Sequence, residues 1–295
     1  MAATHSLDHW RSEGALHDVL GRELFVMDSA PGDAARPTVL LIHGFPTAGW
    51  DWHAIWAPLA ERYRLVAPDM LGFGFSEKPA GHNYTMHEQA DLIEALVEGL
   101  KLSRFHVLAH DYGDTVAQEL LARQNALADA RQWQSVCFLN GGLFPETHRA
   151  RPAQKLLLGP LGGLATHLMQ RGTLDRNMRT IFGPESQPAA EELDNFWRLM
   201  RHNQGKRNFH RLMRYIRDRR QHRERWLAAL RDSEVPIQLI NGSYDPVSGA
   251  HMVTRYRELV GHGEIVELER IGHYPQIEAP DAVAQHFLGF ARQYD

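Results

Sequence analysis

Phe105-His106-Val107-Leu108-Ala109-His110-Asp111-Tyr112-Gly113-Asp114 is the stretch that decides how this chain is read. The run from Phe105 to Ala109 is apolar and short, as a strand buried on both faces would be. It breaks at Asp111, and after Gly113 the apolar residues Val116, Leu120 and Leu121 recur at helical spacing. A strand that turns into a helix through one apex residue projects that side chain above the sheet edge. A small residue beside the apex lets the turn approach its neighbours. The apex here is a carboxylate, and no Gly-x-Ser-x-Gly occurs anywhere in the chain. Asp111 is therefore the expected nucleophile.

Outward from that turn, strands and helices alternate. Upstream lie an early strand, Leu24-Phe25-Val26-Met27, a turn at Pro31-Gly32-Asp33, and the continuous apolar run Thr38 to Ile42, which ends in His43-Gly44-Phe45-Pro46-Thr47. Trp52, Ile55, Trp56 and Leu59 mark a helix face. Leu65 to Asp69 is the next strand, closed by the loop Gly72 to Pro79. Thr85, with Glu88 three residues on, predicts a capping box at the start of a helix reaching about Leu100. Downstream, Ser135 to Leu139 is a strand. From about Leu143 to Trp226 the pattern is helical with no convincing strand. Strands resume at Val235 to Ile240 and Glu264 to Leu268, before a last helix from about Asp281 to Arg292. No repeat or low-complexity segment interrupts this order. The expectation is an α/β fold, a mostly parallel doubly wound sheet with a helical lid between the sixth and seventh strands of such a sheet. Residues 1–142 and 227–295 would form the core domain and 143–226 the helical cap.

Composition bounds the function classes. Hydrophobic content of 43 % and charged content of 23 % fit an ordinary globular protein, and a formal net charge of −4 points to no nucleic-acid partner. The single cysteine, Cys137, sits among Val136, Phe138 and Leu139 and reads as a buried apolar residue; it excludes an internal disulfide and a multi-cysteine metal site. Ala2-Ala3-Thr4-His5-Ser6-Leu7-Asp8 lacks a basic start and an apolar core, and no apolar run is long enough for a membrane span. A cytoplasmic location is the expectation. Among the 18 histidines, His106 and His110 straddle a strand and no His-Glu-x-x-His occurs, so no metal site is expected.

Two further residues stand just past strand ends: Asp245 in Asn241-Gly242-Ser243-Tyr244-Asp245-Pro246-Val247, and His273 in Ile271-Gly272-His273-Tyr274-Pro275. Singly each would pass as a loop residue. Nucleophile, acid and histidine in that order, each at a strand end, form a set. Asp111 would attack an electrophilic carbon and form an ester, His273 would activate a water against it, and Asp245 would hold the imidazole. The backbone amides of Phe45 and Tyr112 are placed to receive the oxyanion.

The chain resembles the α/β-hydrolases of the epoxide hydrolase and haloalkane dehalogenase superfamily. The resemblance rests on His43-Gly44-Phe45-Pro46, Asp69 with Gly72-Phe73-Gly74-Phe75-Ser76, His110-Asp111-Tyr112-Gly113 and Gly272-His273, and it covers nearly the whole chain. Phe73 to Pro79, Asn140-Gly141-Gly142-Leu143-Phe144-Pro145-Glu146-Thr147-His148-Arg149 and His273-Tyr274-Pro275-Gln276 resemble the branch containing the mesoderm-specific transcript protein. The resemblance implies a cofactor-independent hydrolase acting on a small apolar electrophile with water. Haloalkane dehalogenases typically cradle the halide with Asn and Trp side chains where this chain has Phe45 and Tyr112; fluoroacetate-type enzymes place Arg where Tyr112 stands. Epoxide hydrolases need a lid tyrosine to protonate the opening ring oxygen, and Tyr215 resembles one by position; packing on the lid's apolar face is its alternative reading. A second lid tyrosine is missing, which leaves one phenol, help from His148 or His167, or a different substrate.

The expected function is therefore epoxide opening through an Asp111 ester. Carbon–halogen hydrolysis by the same triad, or a non-catalytic binding protein on this fold, are the alternatives. The basic segment 198–225 reads as a solvated lid face pairing with acidic residues, although an acidic substrate, an anionic membrane or nucleic acid could also use it. Ser76 reads as a structural loop residue. Leu156, Leu157, Leu158, Leu161, Leu164 and Met169 point to an apolar pocket.

Overall fold

Runs rich in Val, Leu and Ile become the central strands because both their faces are covered. In the computed structural model, which describes residues 6–33, 35–127, 132–149 and 151–295, every residue of β3 (Thr38–Ile42), β4 (Arg64–Pro68), β5 (Phe105–His110) and β7 (Ile237–Gly242) is buried. Residues 1–5, which carried part of the N-terminal reading, lie outside the described residues. β3, β4, β5 and β7 join β1 (Ala15–Val19), β2 (Arg22–Asp28), β6 (Trp133–Leu139) and β8 (Glu264–Leu268) in one sheet of order β1-β2-β4-β3-β5-β6-β7-β8. The first two strands pair antiparallel with their neighbours; the rest are parallel, with Leu108 of β5 opposite both Leu41 and Cys137.

β1 has no counterpart in the sequence reading. It is an edge strand whose residues are mostly exposed, so no apolar pattern marks it. Its hairpin turns on Leu20 and Gly21, both at positive φ (53° and 76°), the geometry that two-residue hairpins require. Leucine at the first of these hides the turn, since Asn or Gly would normally announce it.

Helices cover both faces. They are α1 (Leu7–Glu13), α2 (His53–Ala60), α3 (Met86–Gly99), α4 (Tyr112–Asn125), α12 (Ala250–Leu259), α13 (Pro275–Glu278) and α14 (Pro280–Ala291). Between β6 and β7 run α5 (Pro152–Leu158), α6 (Gly162–Leu168), α7 (Arg171–Arg179), α8 (Ala190–Arg201), α9 (Phe209–Leu212), α10 (Tyr215–Gln221) and α11 (Arg223–Arg231), with no strand among the described residues. Thr85 caps α3 by accepting the Glu88 N–H. The reciprocal half of the expected box is absent because the Glu88 carboxylate lies 2.7 Å from His82 Nε2.

Buried ions fasten the helical insertion to the sheet. Glu119 on α4 accepts from Arg123, from Arg225 at 2.8 Å and from the Trp226 indole at 2.9 Å. Arg198 binds Asp8 and Arg214 binds Asn83 of the body, while Arg223 binds Glu146 within the insertion, so the basic segment is paired in part, with one acidic partner on the body among these three. The Gly72–Pro79 loop is structural. Ser76 donates to the Asp69 carbonyl and accepts the Phe25 N–H, and the Asp69 carboxylate accepts the N–H groups of Gly49 and Phe75.

The elbow needs glycine. A Cβ on Gly113 would sit 2.2 Å from the Ile42 carbonyl oxygen at the end of β3, whereas one on Gly99 at the end of α3 would meet nothing within 4 Å. Gly113→Ala should lower the unfolding free energy by about 1–3 kcal/mol, or prevent folding. Gly99→Ala should be neutral or stabilising by up to about 1 kcal/mol. Urea unfolding of both variants checks the contrast.

Candidate active site

Asp111 occupies the turn between β5 and α4 at φ 47°, ψ −101°, a conformation a non-glycine residue holds only when its surroundings impose it. Three contacts do so. The Phe45 N–H donates to Oδ2 at 3.1 Å, the Asp111 N–H donates to the Leu139 carbonyl at 3.2 Å, and Arg219 donates to the Asp111 carbonyl at 3.0 Å. Gly44 makes the first possible, since a Cβ there would strike the His110 ring at 2.5 Å. The residue is 5 % exposed.

Asp245 and His273 arrive from the ends of β7 and β8. His273 Nδ1 lies 2.7 Å from Asp245 Oδ2, and His273 Nε2 lies 3.9 Å from Asp111 Oδ2. The first is a hydrogen bond. The second is too long for one and leaves the imidazole facing the carboxylate across a narrow gap. Asp245 is further held by Val247 N–H, Ser248 N–H and Asn140 Nδ2, at 2.7, 3.1 and 3.0 Å. Asn140 is itself at positive φ (43°) and also bonds both backbone groups of Gly242, tying β6 to β7 beneath the site.

These groups set one another's charge. Burial works against ionisation of Asp111, but the His273 ring and then the Arg219 guanidinium outweigh it, and the carboxyl is held well below the usual range. Asp245 is likewise lowered: burial opposes its charge, and His273 with the N–H donors overcomes it. His273 is pushed well above an ordinary imidazole, because Asp245 and Asp111 outweigh its burial. His110, whose Nε2 lies 2.7 Å from the His273 carbonyl oxygen, is driven down to about 3 by burial and the nearby His273 charge.

Arg219 was not legible as a site residue. It sits within the basic segment, yet it is 2 % exposed and does not face solvent. Its Nε donates to Thr115 Oγ1 at 2.7 Å, an Nη lies 3.8 Å from Asp111 Oδ1, and its guanidinium lies over the Tyr215 ring at 4.5 Å. A Cβ on Gly142 would meet that guanidinium at 2.3 Å, and one on Gly141 would meet the buried Asp114 carboxylate at 1.9 Å, which accounts for the glycine pair after Asn140. The only sequence signal was the spacing of Tyr215 and Arg219, one helical turn apart.

A cavity of about 110 Å³ opens beside the three residues and includes Asp111, His273 and Phe45 in its lining. Leu157, Met169 and Met178 supply apolar walls. Tyr215 is not among the lining residues: it is buried with its ring 5.2 Å from that of Tyr112 and 6.4 Å from that of Phe45. Burial, and then the Asp111 charge, raise its phenol further above its ordinary value. His148, with both ring nitrogens buried and without a protein partner, is lowered to about 4 by burial and Arg219; His167 is exposed on α6. The pocket reading of the lid leucines is corrected in part. Leu157 lines the cavity and Leu158 packs on the core, but Leu156, Leu161 and Leu164 are exposed, because α5 and α6 turn only one face inward.

Comparison with known proteins identifies the family. The sequence pattern of the Alpha/beta hydrolase family matches residues 39–286. The mesoderm-specific transcript homolog protein of Homo sapiens is 39 % identical over 297 residues, covering 98 % of this chain and 89 % of that protein. The LipZ protein of Mycobacterium tuberculosis is 38 % identical over 286 residues, covering 96 % and 97 %. Among solved structures, the haloalkane dehalogenase DbeA from Bradyrhizobium elkani superposes with a TM-score of 0.80 over 95 % of this chain and 98 % of that one; at 23 % identity the likeness is one of fold. The match along most of the sequence and the relatives aligned nearly end to end agree, and this chain belongs to the α/β-hydrolase family.

Proposed function

We propose that the protein hydrolyses a small apolar electrophile through an ester on Asp111, with 143–226 as the cap and 1–142 with 227–295 as the catalytic core. The observation that carries this reading is the state of Asp111: a carboxylate held ionised in a dry turn, at the wall of an apolar cavity, facing an imidazole that another carboxylate orients. An ionised carboxylate stripped of water is a competent nucleophile toward carbon.

Attack by an Asp111 oxygen forms a C–O bond as the bond from that carbon to the leaving group breaks. Water then adds to the carbonyl carbon of the Asp111 ester, giving its proton to His273 Nε2. The N–H groups of Phe45 and Tyr112 hold the resulting oxyanion. Collapse returns the Asp111 carboxylate, and the imidazolium protonates the departing alkoxide. Ester formation also removes the Asp111 charge, one of the two that raise His273. The resting imidazolium therefore releases its Nε2 proton more readily, to the tyrosinate left by ring opening or to solvent when a halide leaves, and is neutral when it takes the proton of the attacking water.

An epoxide is the first substrate class in this reading. Phe45 and Tyr112 offer no side-chain N–H to a halide, while Tyr215 stands beside the nucleophile as a phenol able to protonate an alkoxide. Carbon–halogen hydrolysis is the second, and its support is that Tyr215 does not line the cavity, since a halide leaves without a proton. A non-catalytic binding role would give no reason for three mutually tuned ionisable groups.

His273→Gln should trap the ester. Intact mass after exposure to mixed epoxides and haloalkanes is expected to show an adduct on Asp111 equal to a whole epoxide; an alkyl adduct with halide lost selects the second class. A folded protein that takes up neither contradicts the proposal. Tyr215→Phe separates the classes independently: epoxide turnover should fall by about a hundredfold or more, and haloalkane turnover should not change.

A further inference from the structure

The leucines of the cap have two destinations, and only one is the cavity. Leu156, Leu161, Leu164 and Leu168 are 54, 63, 57 and 69 % exposed. Leu161 at the N-cap of α6 and Leu164 and Leu168 within it follow one another at helical spacings of three and four, so they form one stripe. α5, packed against α6, adds Leu156. Isolated exposed leucines are ordinary on a protein surface; a cluster on one helical pair marks a contact surface.

The stretch of chain that carries this face is basic. Residues 149–180 carry Arg149, Arg151, Lys155, Arg171, Arg176 and Arg179 against Asp175 alone, in a chain whose net charge is −4. Among the described residues, Arg171 is paired with Asp175 and Asp194, but Lys155, Arg176 and Arg179 have no carboxylate partner. Lys206 adds a cation at the end of α6, where it donates to the His167 and Met169 carbonyls.

We propose that the α5–α6 face docks in the plane of an anionic lipid bilayer, leucines in the acyl boundary and cations among the headgroups. An apolar stripe flanked by unpaired cations is what a helix lying in a membrane interface presents. A second copy of the chain would bring two like-charged faces together, which disfavours that occupant. The cap reaches the bilayer without crossing it: no helix among the described residues is long and apolar enough to span a membrane. The same helical pair walls the cavity through Gln154, Leu157 and Met169. If the reaction proposed above holds, a lipophilic electrophile dissolved in the bilayer is the class of substrate this arrangement serves. The docking itself does not depend on that reaction.

Flotation of the full-length protein with vesicles tests the proposal without any assay of turnover. The probes are vesicles of phosphatidylcholine alone and of phosphatidylcholine mixed with phosphatidylglycerol. The protein is expected to float with the mixed vesicles, less with the neutral ones, and less as salt rises. Leu161→Gln, Leu164→Gln and Leu168→Gln together should weaken flotation by about tenfold or more with an unchanged melting temperature. Arg176→Gln with Arg179→Gln should reduce the preference for phosphatidylglycerol. Flotation with neither vesicle, flotation indifferent to lipid charge, or a triple leucine variant that floats like the wild type would overturn the proposal. So would a dimer, seen by light scattering, that the leucine changes dissolve, since the face would then join two copies.

Discussion

A carboxylate 5 % exposed keeps its charge only if its neighbours repay the loss of water, and the site is organised around doing this for Asp111. The backbone is part of the arrangement. At φ 47°, ψ −101° the elbow lifts the side chain off the sheet and toward the Phe45 N–H, and this conformation persists because the loop after β3, β6 and α10 each hold one backbone or side-chain group of the residue. Opposite charges complete it. His273 and Arg219 face the carboxylate from two sides, and Asp245 keeps the imidazole charged enough to contribute. Removing one partner would weaken the compensation of a buried ion, a larger penalty than losing a surface pair.

Much of this was legible in the sequence. Continuous apolar runs gave the central parallel strands, because burial on both faces removes polar alternation, and the residues after those runs are where a doubly wound sheet collects its ligands. Asp111, Asp245 and His273 stand out for that reason alone, and they do converge. What escaped notice depended on long-range packing. β1 is an exposed edge with an unremarked Leu-Gly turn. Asn140 and Ser248 look like loop residues until β6 and β7 bring them onto the Asp245 carboxylate. Arg219 lies in a run of like residues, several of which pair near the surface, and nothing local separates the buried one from the rest.

The insertion between β6 and β7 shows why residue type alone misleads. Its arginines serve three settings: Arg225 fastens α11 to the buried Glu119, Arg219 faces the nucleophile, and Arg176 and Arg179 remain in solvent. Its leucines divide in the same way between cavity wall and outer face. Tyr215 makes the point for a single residue. Its place in the chain suggests a proton donor, and the fold gives the same ring a second setting beneath the Arg219 guanidinium, adjoining the rings of Tyr112 and Phe45.

The central claim is that water attacks an enzyme ester and never the substrate carbon. Turnover in water enriched in oxygen-18, using whichever substrate the His273→Gln protein traps, tests this most directly. Water that adds to the ester carbonyl leaves its oxygen on the enzyme. The account predicts that after turnover the peptide containing Asp111 carries the label, and that product from a single turnover does not. An unlabelled Asp111 peptide with label in the first product would contradict it, because His273 would then be driving water onto the substrate with Asp111 as a bystander.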